Sequence, residues 1–268
     1  MSEAEFSNEF ENLRLRYEAL KEQVANQIEM YEHLVDTEGP NIEAQYMMLV
    51  GQLECEAMRL DMEVRRWKRR FALYQMYVNR GEKPDMVAIE NSLDDEFAEW
   101  REKLASMVEK LGDSKLQFDL MKMSESDTNT IRCEYLKAVK KLHPDLNPNL
   151  SESAKSLWDK IQTAYAEKHW SQLKFLVSLV DEVVAGAQEC FADTQDGLVE
   201  LREACARLEA KSQEISGQIA ELKANVPFVY TVLLEDPFLL ERKQSSLKKQ
   251  IKALKAAIGK YERKWNNG

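Results

Sequence analysis

Apolar side chains recur alternately three and four residues apart in four long segments of the chain. This 3.5-residue period is typical of α-helices that pack as coiled coils. The first seam contains Phe6, Phe10, Leu13, Tyr17, Leu20, Val24, the polar Gln27, Tyr31 and Leu34. The second contains Tyr46, Val50, Leu53, Ala57, Leu60, Val64, Trp67, Phe71, Tyr74 and Val78. Both segments are therefore predicted to be long helices.

Two further seams follow later in the sequence. The third contains Leu198, Leu201, Cys205, Leu208, Ser212, Ile215, Ile219 and Leu222. The fourth contains Leu240, Gln244, Leu247, Ile251, Leu254, Ile258, Tyr261 and Trp265. Asp236 and Pro237 offer an N-cap and a first-turn proline for the fourth helix. The apolar segment 225–235 between these seams is compatible with a short strand or a buried turn, and we favour the turn.

The turn residues predict how the seams pair. The four turn residues Thr37-Glu-Gly-Pro40 lie between the first two seams, which favours a hairpin. We therefore predict antiparallel coiled-coil-like helical hairpins at residues 1–80 and 193–268. A connecting helix within 85–123 should end near Gly112. The 268 residues include only 9 glycines and 6 prolines, and this composition also favours long helices and an all-α fold.

Composition excludes several classes of protein. The chain has no glycine-rich nucleotide-binding motif, so we expect neither enzymatic activity nor a cofactor. The 4 cysteines form no C-x-x-C pair, and with 3 histidines the ligands for structural zinc are too few. Such cysteine usage is typical of reduced thiols and a cytoplasmic location. We expect no membrane segment, because the apolar runs are too short, and no secretory signal, because the N-terminus is acidic.

A shorter helix pair is predicted within residues 124–190. Its first helix should end near Leu142, because His143 precedes a proline and is disfavoured in helical geometry. The second should begin around Ser151–Ala154. His143, Pro144 and Asp145 would then form an exposed tip between the two helices. One further helix is predicted from Trp170 to about Gln188.

The first of these helices is basic although the whole chain is acidic. It carries Arg132, Lys137, Lys140 and Lys141 against Glu134, a net charge of +3. Arg132, Lys137 and Lys141 are predicted to share roughly one helix face. A local basic face of this kind suits an acidic protein partner.

The segment 131–165 resembles the J-domain of DnaJ-like co-chaperones, whose hallmark is a His-Pro-Asp loop between two antiparallel helices. Ile131, Tyr135, Lys137, Lys141, His143, Pro144, Asp145, Asn147 and Pro148 match the family's first core helix and loop, and Val139 and Leu142 are apolar substitutes. Trp158, Ile161, Ala164 and Tyr165 match the next helix, F-x-x-I-x-x-A-Y. The family's short opening helix has no counterpart in 112–130, where Phe118, Leu120 and Met121 offer a substitute.

The resemblance implies a co-chaperone that docks on a DnaK-type chaperone and stimulates its ATPase. His143, Pro144 and Asp145 would couple to ATP hydrolysis, and Arg132, Lys137, Lys140 and Lys141 would guide docking. The core of the J-like module would be Tyr135, Val139, Leu142, Trp158, Ile161, Ala164 and Tyr165. The helical arms would bind a client or partner protein, or a second copy of the chain. One alternative is a coiled-coil adaptor or scaffold with an inactive J-like turn, and another is a nucleic-acid-associated coiled-coil protein.

Charge argues against the nucleic-acid alternative. The whole chain carries a net charge of −10, although the run Arg65–Arg70 and the segment 239–264, at +7, are basic. Residues 1–36 have a net charge of −6. We expect this acidic arm to shield the basic last helix, within one chain or across a homodimer, so nucleic acid is not an expected partner.

Overall fold

The computed structural model describes residues 3–120, 125–184, 191–192 and 194–267. The fold class is all-α, as the seams predict, and the described residues include no strand. The helices are α1 (Glu3–His33), α2 (Gly39–Tyr46), α3 (Gln52–Asn79), α4 (Met86–Glu96), α5 (Ala98–Leu120), α6 (Glu125–Leu142), α7 (Glu152–Ala166), α8 (Trp170–Ser178), α9 (Val180–Val184), α10 (Gln195–Ala224), α11 (Thr231–Glu235) and α12 (Pro237–Asn266).

The chain divides into two compact units, each built from two separate stretches of sequence. Unit 1 comprises Met1–Gly39 and Lys122–Phe228, and unit 2 comprises Pro40–Met121 and Val229–Gly268. The predicted domains 1–80, 85–123, 124–190 and 193–268 were instead continuous segments. The boundaries differ because each long helix finds its partner about 190 residues away in the sequence rather than in its neighbour.

In unit 1, α1 packs along α10, and the two helices run parallel. Gln23 pairs with Ser212 and Gln27 with Ser216, each 189 residues apart, and Arg16 pairs with Glu209 across 193 residues. This nearly constant offset requires both helices to point the same way. The prediction of antiparallel hairpins at 1–80 and 193–268 is therefore wrong, although the seams themselves are helical.

Polar side chains beside the seams fit this choice of partner. Ser212 lies in the third seam and is buried, and its hydroxyl accepts a hydrogen bond from Gln23 at 2.8 Å. Gln27, the polar member of the first seam, donates to Ser216 at 2.8 Å. Gln23 and Ser216 are exposed, so these hydrogen bonds favour the observed register only weakly, because water can replace them in another pairing.

The predicted turn at Thr37–Pro40 does not end the helix. A π-helical segment, Leu34–Glu38, leads directly into α2, and a second, Met47–Gly51, leads into α3. Pro40 has no N–H to donate to the preceding turn, and the π-helical segment accommodates it, with the Gly39 N–H bonded to the Leu34 carbonyl. Gly39 has helical dihedral angles, and a Cβ there would lie only 3.0 Å from the Leu34 carbonyl oxygen. Gly39 therefore serves the local backbone of a continuous helix rather than a turn.

Unit 2 is built on a second parallel pair, α3 and α12. Apolar residues of the second and fourth seams form its core, including Val50, Leu60 and Val64 with Leu247 and Ile251. An aromatic cluster covers the far end of the pair, where Trp265 packs edge-on against Phe71 and Tyr74. Asp236 caps α12 by accepting hydrogen bonds from two backbone N–H groups, and Pro237 occupies the first turn, as predicted.

The connecting segment of unit 2 is two helices rather than one. α4 and α5 are interrupted at Phe97, which leaves helical geometry and buries its ring. Gly112 does not end the helix as predicted, because α5 continues to Leu120. The cationic run in α3 pairs with acidic residues of α4: Arg66 and Arg70 bind Glu90, and Arg69 binds Glu96. This basic run is therefore neutralised inside the unit.

The apolar segment 225–235 forms a helical turn and no strand. A 3-10 turn, Phe228–Tyr230, leads into α11. Phe228 is buried in unit 1, and Tyr230 of unit 2 stacks on Tyr46 with ring centroids 3.8 Å apart. Val226, Val229 and Val232 are exposed, so the predicted buried turn is confirmed only in part.

The parallel pairing of α1 and α10 can be tested by cross-linking. In a variant without native cysteines, Gln23→Cys and Ser212→Cys should be joined by a short bismaleimide, because the native side chains lie in hydrogen-bond contact. Denaturing electrophoresis would detect the product by its altered mobility, at a yield independent of protein concentration. Efficient linkage of position 23 to Gln52→Cys, as a hairpin of the first two seams requires, would contradict the pairing.

Candidate functional site

Helices α6 and α7 of unit 1 form an antiparallel pair joined by aromatic contacts. About two turns before the end of α6, Tyr135 stacks on Tyr165 with ring centroids 4.0 Å apart. Just beyond the end of α6, His143 packs edge-on against Trp158 at 5.3 Å. Tyr135 precedes His143 along the chain, whereas its partner Tyr165 follows Trp158, so the two helices are antiparallel. Tyr135, Val139, Leu142, Trp158, Ile161, Ala164 and Tyr165 are all buried, so the predicted core of the helix pair is confirmed.

The His143-Pro144-Asp145 segment forms the tip between these helices, as predicted. α6 ends at Leu142 immediately before it, where the following proline disfavours helix. The carbonyl oxygen of His143 accepts hydrogen bonds from the backbone N–H groups of Leu146 and Asn147, and the Asn147 side chain donates to the Lys140 carbonyl at 3.1 Å. Buried Leu146 anchors the loop from below. The tip is thus held in one conformation by its own backbone.

His143 is partly buried, whereas Pro144 and Asp145 are exposed. The imidazole Nδ1 accepts a hydrogen bond from the Asp145 backbone N–H at 3.1 Å. Burial lowers the pKa of His143; Asp145 raises it and Lys211 lowers it further. The ring is therefore neutral at pH 7, which leaves Nδ1 free to accept. The sequence predicted that His143 would be exposed at the tip, but the structure packs its ring against Trp158.

The loop lies beside α10, which the sequence did not predict. Lys211 of α10 places its Nζ 3.0 Å from the Asp145 carboxylate and also reaches Glu214 at 3.2 Å. Tyr17, Pro144, Leu208 and Lys211 help to line a cleft of about 280 Å³ between the loop and the α1–α10 pair. Since both partners are partly exposed, the ion pair contributes at most about 1 kcal/mol. The Lys211 ammonium group therefore orients the Asp145 carboxylate only weakly.

Two of the four predicted docking cations lie on the exposed face of α6. The Lys137 side chain is 63% exposed and pairs with Glu134 one turn earlier on the same helix. Lys141 is also well exposed and pairs with Asp181 of α9. Together with Pro144 and Asp145, these residues form one accessible stripe that ends at the tip.

The other two cations are directed toward α1. Arg132 makes a bidentate pair with Glu29, at 2.7 and 3.0 Å, and the Glu29 side chain is only 7% exposed. Lys140 binds Glu22 at 2.7 Å. The prediction that Arg132 shares the open face with Lys137 and Lys141 is therefore wrong. Removing either member of the Arg132–Glu29 pair would leave a partly buried charge uncompensated.

Helix α1 covers the apolar face of the α6–α7 pair together with α8 and α9. Val24, Ala25 and Ile28 of α1 join Tyr135 and Ala138 in one buried cluster. The predicted helix from Trp170 to about Gln188 is interrupted at Leu179 between α8 and α9, and 185–188 lie outside the described residues. The side chains of Phe118, Leu120 and Met121, proposed as a substitute for the family's opening helix, also lie outside them.

A buried carboxyl group lies where α1 meets the helix pair. Gln162 donates a hydrogen bond to one oxygen of Glu32 at 3.3 Å, and the Tyr135 hydroxyl lies close enough to donate to the same carboxyl group. Burial raises the pKa of Glu32 from its ordinary 4.5 to about 7. Burial and the nearby Glu32 also raise the pKa of Tyr135. Glu32 is therefore about half protonated at neutral pH.

Other kinds of site find little support in the described part of the chain. It contains no group of three or more His, Cys, Asp or Glu side chains arranged to hold a metal ion. Cys55 and Cys205 are buried free thiols, and Cys133 is an exposed one. Cys190 lies outside the described residues. Among the helices searched, none is both long and apolar enough to cross a membrane.

Comparison with known proteins returned no relative. No protein-family model matches the chain, and neither a curated protein nor a solved structure does.

The buried carboxyl group predicts a pH-dependent effect of Glu32→Gln. Because the pKa of Glu32 is higher in the folded state than in the unfolded state, the native contribution of this group is lost as pH rises from about 4.5 to about 7. Glutamine mimics the protonated form and should add about 1–2 kcal/mol to the free energy of unfolding at pH 8, with little effect at pH 4.5. Urea denaturation of both proteins across this pH range measures the difference. An equal effect at all pH values would contradict the assignment.

Proposed function

We propose that this chain is a J-domain-type co-chaperone that docks on a DnaK-type chaperone and stimulates its ATPase. The observation that carries the proposal is the His143-Pro144-Asp145 tip, held between two antiparallel helices whose core residues fall at the family's spacing. The protein itself would not be an enzyme. It would supply a contact that changes the catalytic state of its partner.

Within the accessible stripe, one group of residues would attract the chaperone and another would make the contact that stimulates its ATPase. Lys137 and Lys141 would attract an acidic surface on the chaperone through long-range electrostatics, which mainly increases the association rate. Pro144 and Asp145 would make the short-range contact at the tip, because they project beyond the helices and are exposed. His143 would hold the Asp145 backbone in place through its Nδ1 hydrogen bond.

The rest of the protein would determine what the chaperone acts on. The parallel pairs α1–α10 and α3–α12 use their apolar seams within their own units, so a client or partner protein would bind to other surfaces. A homodimer through the helical arms also remains a proposal. The chemistry of the client is not specified by any of these contacts.

A coiled-coil adaptor with an inactive J-like turn is the second candidate, and one observation favours it. The Asp145 carboxylate is already paired with Lys211, and the basic side chains of α6 are already paired within the protein. These contacts could make the helix pair a purely structural element of unit 1. Only a measurement with the chaperone separates this reading from the first.

Asp145→Asn should abolish stimulation of the ATPase without unfolding the protein. The Asp145 side chain is 40% exposed and its ion pair is weak, so the free energy of unfolding should change by less than about 1 kcal/mol. Single-turnover ATP hydrolysis by a DnaK-type chaperone from the same source is the measurement. His143→Gln should also abolish stimulation, at a larger cost of about 1 kcal/mol, because the ring packs on Trp158.

The control for these variants is Lys160→Gln, an exposed change on α7 about two turns beyond the end that adjoins the tip. It should leave stimulation intact. If the wild-type protein fails to stimulate the chaperone, the adaptor interpretation is favoured. If Asp145→Asn stimulates as well as wild type, the tip has no coupling role.

Charge reversal of Lys137 and Lys141 should weaken docking in a salt-sensitive manner. Both side chains are exposed, so their attraction is screened at high ionic strength. The half-maximal concentration for stimulation should rise at least 10-fold at low salt, while the maximal rate at saturation changes little. Titrations at about 50 and 500 mM salt, with circular dichroism to confirm folding, measure this effect. A drop in the maximal rate alone would contradict a docking role.

A further inference from the structure

Helix α12 carries a row of cations that the fold leaves without partners. From Arg242 to Tyr261 the sequence contains seven lysines and arginines and no acidic residue. Lys243 and Lys255 pair with Glu54 and Glu56 of α3. The other five are exposed and form no ion pair among the described residues; we call them the basic strip: Arg242, Lys248, Lys249, Lys252 and Lys260. At 1.5 Å per residue the strip is about 27 Å long.

The basic strip contrasts with the cationic run in α3 of the same unit. There, Arg66 and Arg70 bind Glu90, and Arg69 binds Glu96, so nearly every positive charge has a carboxylate. In α12, Lys248 and Lys252 are four residues apart, and Lys249 and Lys252 are three apart. Like charges at these spacings repel on a helix surface. The strip is therefore less stable than a mixed-charge face would be.

Three acidic side chains of residues 1–36, the segment expected to shield this helix, bind cations of unit 1: Glu9 binds Arg202, Glu22 binds Lys140 and Glu29 binds Arg132. The net charge of −10 is likewise uneven. Unit 2 contains 20 acidic and 21 basic residues, so the excess of acidic charge belongs to unit 1. Whole-chain charge therefore says little about the field near α12, since charges are screened beyond about 8 Å in physiological salt.

The composition of the strip indicates the kind of partner. Protein interfaces are centred on aromatic and apolar anchors and are depleted of lysine. On α12, the aromatic side chains Tyr261 and Trp265 turn inward to Phe71, and the exposed large apolar residue Phe238 precedes the strip. Four of its five cations are lysines, which act as point charges suited to phosphates rather than to reading base edges. Without exposed aromatic rings along the strip, stacking of single-stranded bases is not favoured.

We propose that the basic strip of α12 binds the phosphate backbone of double-stranded nucleic acid without sequence preference. A straight row of cations about 27 Å long can follow a duplex, which presents a phosphate charge about every 1.7 Å along its axis. The interaction is electrostatic, and it is independent of the His143-Pro144-Asp145 tip in unit 1. This surface would place the proposed co-chaperone on a nucleic-acid-bound substrate.

The test measures binding of the full-length protein to a fluorescent random-sequence DNA duplex of about 25 base pairs by anisotropy. Five phosphate contacts predict that the logarithm of the association constant falls with the logarithm of salt concentration with a slope of about −4.5. The variant with Lys248, Lys249, Lys252 and Lys260 all changed to Gln should bind at least 10-fold more weakly and reduce this slope to about −1. It should melt at the same temperature as wild type or higher, because repulsion is removed.

A matched control makes the same change of charge elsewhere. Lys83, Lys103, Lys160 and Lys174 are exposed and form no ion pair among the described residues. Their joint replacement by Gln should weaken DNA binding less than 3-fold. An equal loss in both variants would mean that total charge, not the strip, controls binding, and would overturn the proposal.

Competition separates nucleic acid from an acidic protein. Unlabelled duplex should displace the probe far better than poly-glutamate at the same concentration of negative charge. Equal displacement by poly-glutamate, or no binding of wild type to DNA at about 50 mM salt, would overturn the proposal. Tighter binding to a single strand of the same length would contradict recognition of a duplex.

Discussion

The pairing of α1 with α10 is the constraint on which unit 1 depends. Apolar seams of the same period are interchangeable, so apolar burial alone cannot select among four of them. Hydrogen bonds of Gln23 to Ser212 and of Gln27 to Ser216 accompany the observed pairing. Once α1 lies along α10, its opposite flank brings Glu22 and Glu29 to α6. One helix thereby contacts both α10 and the α6–α7 pair.

This arrangement covers one side of the α6–α7 pair and determines which of its charged side chains are paired. Arg132 and Lys140 of α6 bind carboxylates of α1. Lys137 and Lys141 lie on the open face. Asp145 is exposed yet held by Lys211 of α10 at 3.0 Å. The candidate site is thus a tip supported on one side by helices distant in sequence and open on the other. That geometry is compatible with docking of a partner along the stripe from Lys137 to Asp145.

The two basic segments of unit 2 differ in whether neighbouring carboxylates neutralise them. The run in α3 reads as strongly cationic in sequence, but α4 folds against it and supplies carboxylates. The strip in α12 has a similar composition and no such neighbour among the described residues. A count of charges along the chain cannot tell these cases apart, because neutralisation depends on which helix packs alongside.

The sequence by itself determined the all-α class, the four seams, the cap at Asp236 and the core and loop of the α6–α7 pair. These features depend on local periodicity, capping and proline geometry, which act over a few residues. Only the tertiary structure decided which seams pair, that they run parallel, and that Thr37–Pro40 continues the helix. It also decided that Arg132 faces α1 and that Lys211 reaches Asp145. The pairing contacts among these outcomes join residues about 65 to 190 positions apart, for which helical periodicity carries no information about the partner.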